Sequence, residues 1–466
     1  MPALRLPGSV PPQLVLALLV SLPGAYLGAA AYLGLPGPHL AAPLAALVYG
    51  IAVVGAAFIL SWAAEAAQVD INAGLALAVL ALLAILPEYA VDFVFTYQCG
   101  SAYQGGDAGS APEVCSLALA NMTGANRVLV GVGWPLVVLV ATLAVWQGRR
   151  TARRSGDADA TSGAGADGSS AAESASTRAG DVRLAPTMSV ELAFLGIATA
   201  YSLTLPLKST LSLWDSLVFV AIFAAYAWRL AQLPPSEPDL LGVSAWVGDL
   251  PKAGRRIMVA AMFAVAALMI LLSAEHFAHG LVETGDQLGI SKFLLVQWVA
   301  PLASEAPELL VACLYAWRLK AADSLGTLLS SKVNQWTLLV GSLPIVFGLT
   351  ALTTSGLPLD TEQRYELLIT AAQSLFAVAV LIDLRLTFRG ALGLLSLFLV
   401  QFAVSVFGTS EANRVTIVVL SVVYALLAVG RFVQRRQHVA GVLRAGIVMP
   451  LDRLSDDPAD SAVGRA

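Results

Sequence analysis

The sequence predicts an all-α polytopic membrane protein of about twelve transmembrane helices, and three observations carry that expectation. The 466 residues are 58% hydrophobic and only 12% charged. Their mean hydropathy is +0.76. Apolar stretches of about 18 residues or more recur along the chain, each long enough to cross a hydrocarbon core of about 30 Å. A soluble protein carries about twice this share of charged residues. The net charge of −4 says little about partners, because the placement of the charges matters more than their sum.

Taken in order, the apolar runs place helices over 13–33, 40–66, 72–97, 118–146, 188–206, 212–232, 255–279, 291–317, 325–350, 365–385, 391–409 and 412–433. The N-terminus lacks a strong basic region and a clear cleavage site, so its first run reads as a retained helix. Basic clusters follow the even-numbered helices: Arg149, Arg150, Arg153 and Arg154, then Lys252, Arg255 and Arg256, then Arg318 and Lys320, then Arg385 and Arg389, and last Arg431, Arg435 and Arg436. The odd-numbered connections, such as "SAYQGGDAGSAPEVC" and "TSGLPLDTEQ", are poor in basic residues. The positive-inside rule then predicts a multi-pass protein of the cell membrane with both termini in the cytoplasm.

The stretch "SGDADATSGAGADGSSAAESASTRAGD" has almost no large apolar side chain and cannot bury enough surface to order itself. It predicts a disordered cytoplasmic linker over 147–187, with a second linker over 233–254 and a polar tail over 434–466. Cys99 and Cys115 share one predicted external loop, where a disulfide is chemically permitted. Cys313 is intramembrane. Clustered His or Cys pairs, HExxH, GxSxG and Walker-type loops are all missing from the sequence, so an enzyme is not expected.

The stretch "PLASEAPELLVACLYA" (301–316) places two carboxylates, Glu305 and Glu308, and two prolines inside a predicted membrane helix. It has a partner. "AILPEYAVDFVF" (84–95) and "SEAPELLVACLY" (304–315) align without gaps and superpose Pro87 on Pro307 and Glu88 on Glu308. Each preceding helix carries another carboxylate, Glu65 or Glu275, and each following helix carries a small-polar segment, "ANMTGANRVLVGVG" or "LSSKVNQWTLLVG". The Pro-Glu helices are the third and eighth, so they run in opposite directions. Two related units in opposed orientation are the inverted repeat of secondary transporters, whose site forms where broken helices meet.

The chemistry follows from the residue types. Proline removes a backbone hydrogen bond and clashes with the preceding turn. Within a bilayer the freed carbonyl is tolerated only if protein, water or an ion satisfies it. A carboxylate beside that loosened backbone adds hard oxygens suited to Na⁺, Ca²⁺ or a proton. An ionised carboxylate at the bilayer centre costs about 2.5–3.5 kcal/mol on insertion scales, which argues for a use in both repeats.

These paired helices resemble the α-repeats of the Ca²⁺/cation antiporter superfamily, the sodium/calcium exchangers, whose pattern reads G-[ST]-S-x-P-E, then G-S-N-x-x-N. The resemblance covers both repeats. It matches Ser331 to the Ser, Lys332 to the Asn and Gln335 to the later Asn of the second run. In the first repeat Gly124, Ala125 and Asn126 match G-S-N. It implies a five-plus-five exchanger core: a first repeat over 37–146 and 188–232, a second over 255–410, and additional helices over 1–36 and 411–433. There are departures. Glu305 stands where the family has a small hydroxyl residue, Asp92 adds an acid one turn from Glu88, Lys332 replaces a ligand Asn, and Arg127 follows Asn126.

The expected cation ligands are therefore Glu88, Glu308, Glu305, Asp92, Asn126, Ser331 and Gln335, with Lys332 and Arg127 modulating the site's charge. Alternatives stay open for several of them. Glu305 pairs with Lys332 or is a ligand, and Asp92 pairs with Arg127 or contacts the ion. Asn126, Ser331, Asn334 and Gln335 are ligands or interhelical hydrogen-bond glue. Glu65 and Glu275 read as snorkelling or gating residues, His276 and His279 as interfacial ones. The expected function is a secondary active antiporter for Na⁺, H⁺ or Ca²⁺. Its partners are inorganic cations and the lipid bilayer, with no nucleic acid and no cofactor. The alternative is a non-transporting sensor or assembly subunit on the same scaffold, which the two basic residues favour.

Overall fold

Long apolar runs form helices here because in a bilayer every backbone N–H and C=O needs an internal partner. The computed structural model describes residues 10–36, 38, 40–70, 86–104, 111–154, 177–178, 181–232, 240–450 and 454. Among them, ten helices are long and apolar enough to cross a membrane, and a pair broken at position 307 brings the number to as many as eleven. The chain is thus an all-α polytopic membrane protein. The span expected over 72–97 is described only from Leu86, and 71–85 lie outside the described residues, as do 155–176 and 233–239 of the expected linkers.

The helices are α1 (Pro12–Tyr32), α2 (Ala42–Ala67), α3 (Leu86–Gln104), α4 (Ala111–Val128), α5 (Trp134–Arg154), α6 (Ser189–Ser202), α7 (Leu213–Leu230), α8 (Val243–Gly248), α9 (Lys252–Leu288) and α10 (Lys292–Trp317). They continue with α11 (Ala321–Asn334), α12 (Val340–Ala351), α13 (Thr361–Leu381), α14 (Phe388–Phe407), α15 (Ser410–Gln434) and α16 (Arg436–Ile447). One turn of π-helix, Leu129–Gly133, joins α4 to α5, and another, Gln335–Leu339, joins α11 to α12. There are also short 3-10 turns at Pro186–Met188 and Leu205–Leu207, and short strands: β1 (Thr177–Arg178), β2 (Asp181–Arg183), β3 (Thr210–Leu211), β4 (Leu357–Pro358) and β5 (Arg385–Thr387).

The chain forms two compact units. One comprises Met1–Ala125, Leu207–Pro307 and Asn334–Glu366, and the other Asn126–Pro206, Glu308–Val333 and Leu367–Ala466.

In the first unit, α2 packs along α9 with α1 beside both. Small residues let these backbones approach, as is usual where lipid offers no hydrophobic drive between helices. At Gly28 a Cβ would fall 1.9 Å from the carbonyl oxygen of Leu272, so only glycine fits. Just past α2, Asp70 accepts from Arg255 Nε at 2.7 Å and Nη2 at 2.9 Å, a bidentate pair that fastens it to the start of α9. The expected linker over 233–254 contains α8, whose Ser244 hydroxyl donates to Glu65 at 2.6 Å. Glu65 is therefore tied to protein. Cys99 and Cys115 are disulfide-bonded, and both lie inside helices rather than in a loop. The apolar run ends near 97, but polar residues carry α3 on to Gln104. A capping box starts α13, where Asp360 and Gln363 exchange side chain to backbone bonds at 2.7 and 2.8 Å.

In the second unit, β2 pairs antiparallel with β1 and with β5, with Val182 opposite Leu386. The expected disordered linker over 147–187 thus contains both the end of α5 and two strands of this small sheet. The tail expected as polar and unassigned after 434 carries α16, which packs on α6 with Gly446 against Ser189 and Ala193. Its few apolar positions form a helical face too short for a hydropathy window to register.

Candidate functional site

Proline and glutamate together position the candidate ligands. Pro87 and Glu88 occupy the first described turn of α3. In α10 the helix is broken at Pro307, between Glu305 and Glu308. A break of this kind frees backbone groups and lets side chains project from a helix end within a span.

In the first unit, Gln335 heads the second π-turn, and its amide nitrogen donates to Glu88 Oε2 at 3.0 Å and also to Glu305 Oε1. One amide thereby draws two carboxylates, both buried, to a single point. The Gln335 carbonyl oxygen is itself buried and has no hydrogen-bond partner among the described residues. Next to it, Tyr89 donates to Asn334 Oδ1 at 3.4 Å. One helical turn from Glu88, Asp92 accepts from the Asn121 amide at 2.9 Å and from the Met122 backbone N–H. Asp92 Oδ2 and Asn121 Oδ1 are buried oxygens without a partner among the described residues.

Gly124, matched in the sequence to a ligand motif, acts here through its size. A Cβ at this position would lie 1.8 Å from the backbone oxygen of Gln297, so α4 and α10 touch backbone to backbone within this unit. Glu275 accepts from the Tyr32 hydroxyl and has His279 Nε2 4.0 Å away. His279 also lies 3.1 Å from Gln98 Nε2, and the His276 ring stacks on Tyr49 with centroids 5.1 Å apart.

In the second unit, Ser331 donates to Glu308 Oε1. The Lys332 ammonium bonds Asn126 twice, to Oδ1 at 2.6 Å and to the main-chain oxygen at 3.1 Å. Both residues and Arg127 are buried. Each π-turn begins three residues after one of these two positions, at Leu129 and at Gln335. A π-turn inserts a residue into the helix and is common at functional sites. Asn126 and Lys332 are therefore equivalent positions of the repeat, and they are each other's partners.

Of the residues expected from the sequence, the structure brings Glu88, Glu305 and Gln335 together, joins Glu308 to Ser331, and pairs Asn126 with Lys332. Asp92 takes Asn121 and the Met122 amide as its partners. Sequence reasoning did not single out Asn121, Tyr89 or the two π-turns. The signal for Asn121 was a carboxamide inside the strongly apolar run 118–146. Among the described residues no three His, Cys, Asp or Glu side chains form a metal-binding group. The oxygens on offer are mixed carboxylate, amide and hydroxyl, a set suited to hard cations.

Comparison with known proteins agrees with this architecture. The model of the family described as sodium/calcium exchanger protein matches residues 41–231 and 258–433. A crystal structure of the H⁺/Ca²⁺ exchanger CAX is 37% identical, with a TM-score of 0.78 over 95% of this chain and 97% of that one. The structure of native YfkE, 14% identical, shares the fold with a TM-score of 0.52 over 88% of this chain and 100% of that one. A putative antiporter CaxA of Alkalimonas amylolytica is 28% identical over 91 residues, which span 19% of this chain and 28% of that protein. The family match covers most of the chain and both Pro-Glu helices, and the chain belongs to the sodium/calcium exchanger family.

Proposed function

We propose that this protein is a secondary active cation antiporter that exchanges Ca²⁺, or a monovalent cation, against H⁺ by alternating access. The observation that carries the reading is the Gln335 amide held between the Glu88 and Glu305 carboxylates, with the buried Asp92 and Asn121 oxygens one helical turn away. Carboxylates gathered inside a membrane span repel one another and cost solvation, so they persist where a cation or proton neutralises them. Glu88, Glu305, Asp92 and Gln335 serve as ligands or proton acceptors in one unit, and Glu308 and Ser331 in the other. Lys332, hydrogen-bonded to Asn126, holds a fixed positive charge where the family places a neutral ligand, and so reduces the number of cations carried per cycle. Likeness to the H⁺/Ca²⁺ exchanger CAX supports Ca²⁺ as cargo and H⁺ as counter-ion. The basic loops support a cytoplasmic location for both termini.

The test is flux in proteoliposomes under an imposed pH gradient, offering Na⁺, K⁺ and Ca²⁺ in turn. Proton-driven Ca²⁺ uptake that Glu88→Gln or Glu308→Gln abolishes, with folding intact, is the expected result. Sodium–proton exchange alone replaces the cargo. Silence with every ion from well-folded protein overturns the reading in favour of a non-transporting sensor.

A further inference from the structure

Helices α13, α14 and α15, all within the second unit over the residues concerned, enclose a cleft of about 720 Å³ at their basic end. That volume is in the range of small-molecule sites. Its two halves differ in chemistry. Phe376, Leu426 and Leu427 supply an apolar wall, and Leu426 is 67% exposed on the helix surface, so this wall opens toward the bilayer. Arg389 and Arg431 line the same cleft. Arg389 is exposed and has no hydrogen-bond or ion-pair partner among the described residues. Arg431 is partly exposed and reaches Asp383 through Nη2 at 3.5 Å. The acid in the cleft, Asp181, is engaged by Arg385.

We propose that this cleft is a binding site for a glycerophospholipid with a net-negative head group. The phosphate is held between Arg389 and Arg431, and an acyl chain lies along Leu426, Leu427 and Phe376. Charge complementarity selects the head group, because two guanidiniums in one cleft at the end of membrane helices match an anionic phosphate. The apolar wall selects a lipid over a free anion, because an inorganic phosphate leaves that wall without an occupant. An arginine that only snorkels to the interface has no need of a walled cleft. Gly430 supplies a second handle. It lines the cleft and a Cβ there meets nothing within 4 Å, so a side chain at this position has open space at its root.

The experiment is native mass spectrometry of delipidated full-length protein titrated with phosphatidylglycerol, with phosphatidylcholine and with inorganic phosphate. The variants are Arg389→Gln, Arg389→Gln combined with Arg431→Gln, and Gly430→Phe. The proposal expects phosphatidylglycerol to bind at least tenfold more tightly than phosphatidylcholine. It expects that preference to fall at least tenfold both in the arginine variants and in Gly430→Phe, which alters no charge. Equal binding of the two lipids, or a preference that survives both Arg389→Gln and Gly430→Phe, overturns it. Phosphate that competes at the affinity of the lipid identifies a free-anion site and overturns it too. Should the double variant fail to fold through loss of the Asp383 contact, Arg389→Gln and Gly430→Phe decide alone. None of these readouts depends on transport.

Discussion

The ammonium of Lys332 lies 2.6 Å from the side-chain oxygen of Asn126, and the two residues hold equivalent positions in the two repeats. Both are fully buried. A buried ammonium needs polar partners, and here the partner is the carboxamide, with its own backbone oxygen 3.1 Å away. The asymmetry of sequence at this position, Asn in one repeat and Lys in the other, has become a contact between them.

If that ammonium occupies the place of a cation, replacing it frees a charge. Lys332→Asn is expected to raise the number of positive charges carried per cycle. The measurement is the reversal potential of flux in proteoliposomes, and an unchanged stoichiometry would refute the role given to Lys332.

The Gln335 amide is the donor shared by Glu88 and Glu305. Gln335→Leu keeps the volume and removes the hydrogen bonds, leaving two buried carboxylates to repel one another. Loss of an orienting partner of this kind typically costs 10–100-fold in metal affinity. The half-saturating cation concentration for uptake is expected to rise by about that factor, and an unaltered value would reduce Gln335 to a packing residue.

Close approach of α4 and α10 depends on Gly124. Gly124→Ala places a methyl against the backbone oxygen of Gln297, and overpacking of this sort costs about 1–3 kcal/mol. Gly430→Ala is the control, since its Cβ meets open space. There a helical alanine is expected to be neutral or to gain about 0.5–1 kcal/mol. Thermal unfolding in detergent separates the two, and equal midpoints would contradict the close contact.

Between α2 and α9, the Arg255 guanidinium hydrogen-bonded to Asp70 holds that carboxyl below its ordinary range. A lowered folded value means that the pair's contribution is fully present above the unfolded Asp value of about 3.9. It is lost as pH falls through the folded value. Asp70→Asn is therefore expected to lower the unfolding midpoint at pH 7. The gap to the wild type should begin to narrow below about pH 4 and close once pH has fallen through the lowered folded value, where the wild-type carboxyl is also neutral. A gap that stays constant with pH would assign the stability to packing instead.

By itself the sequence determined that the chain is a membrane protein, where most spans run, and that two Pro-Glu helices form a repeat. These are local properties. Hydropathy over about 20 residues decides whether a segment crosses a bilayer, and a proline breaks a helix wherever it stands inside one. Only the tertiary structure decided that Gln335 serves two carboxylates, that Asn121 and the Met122 amide are the partners of Asp92, and that Lys332 answers Asn126 from a distant part of the chain. It also decided α8, α16 and the strands of two or three residues, which exist because a neighbour supplies their missing hydrogen bonds or buries their narrow apolar face. The physical reason is common to all of them. A buried polar group is satisfied by whatever packing brings within about 3 Å, and that distance is set by the crossing of helices, which no window of consecutive residues contains.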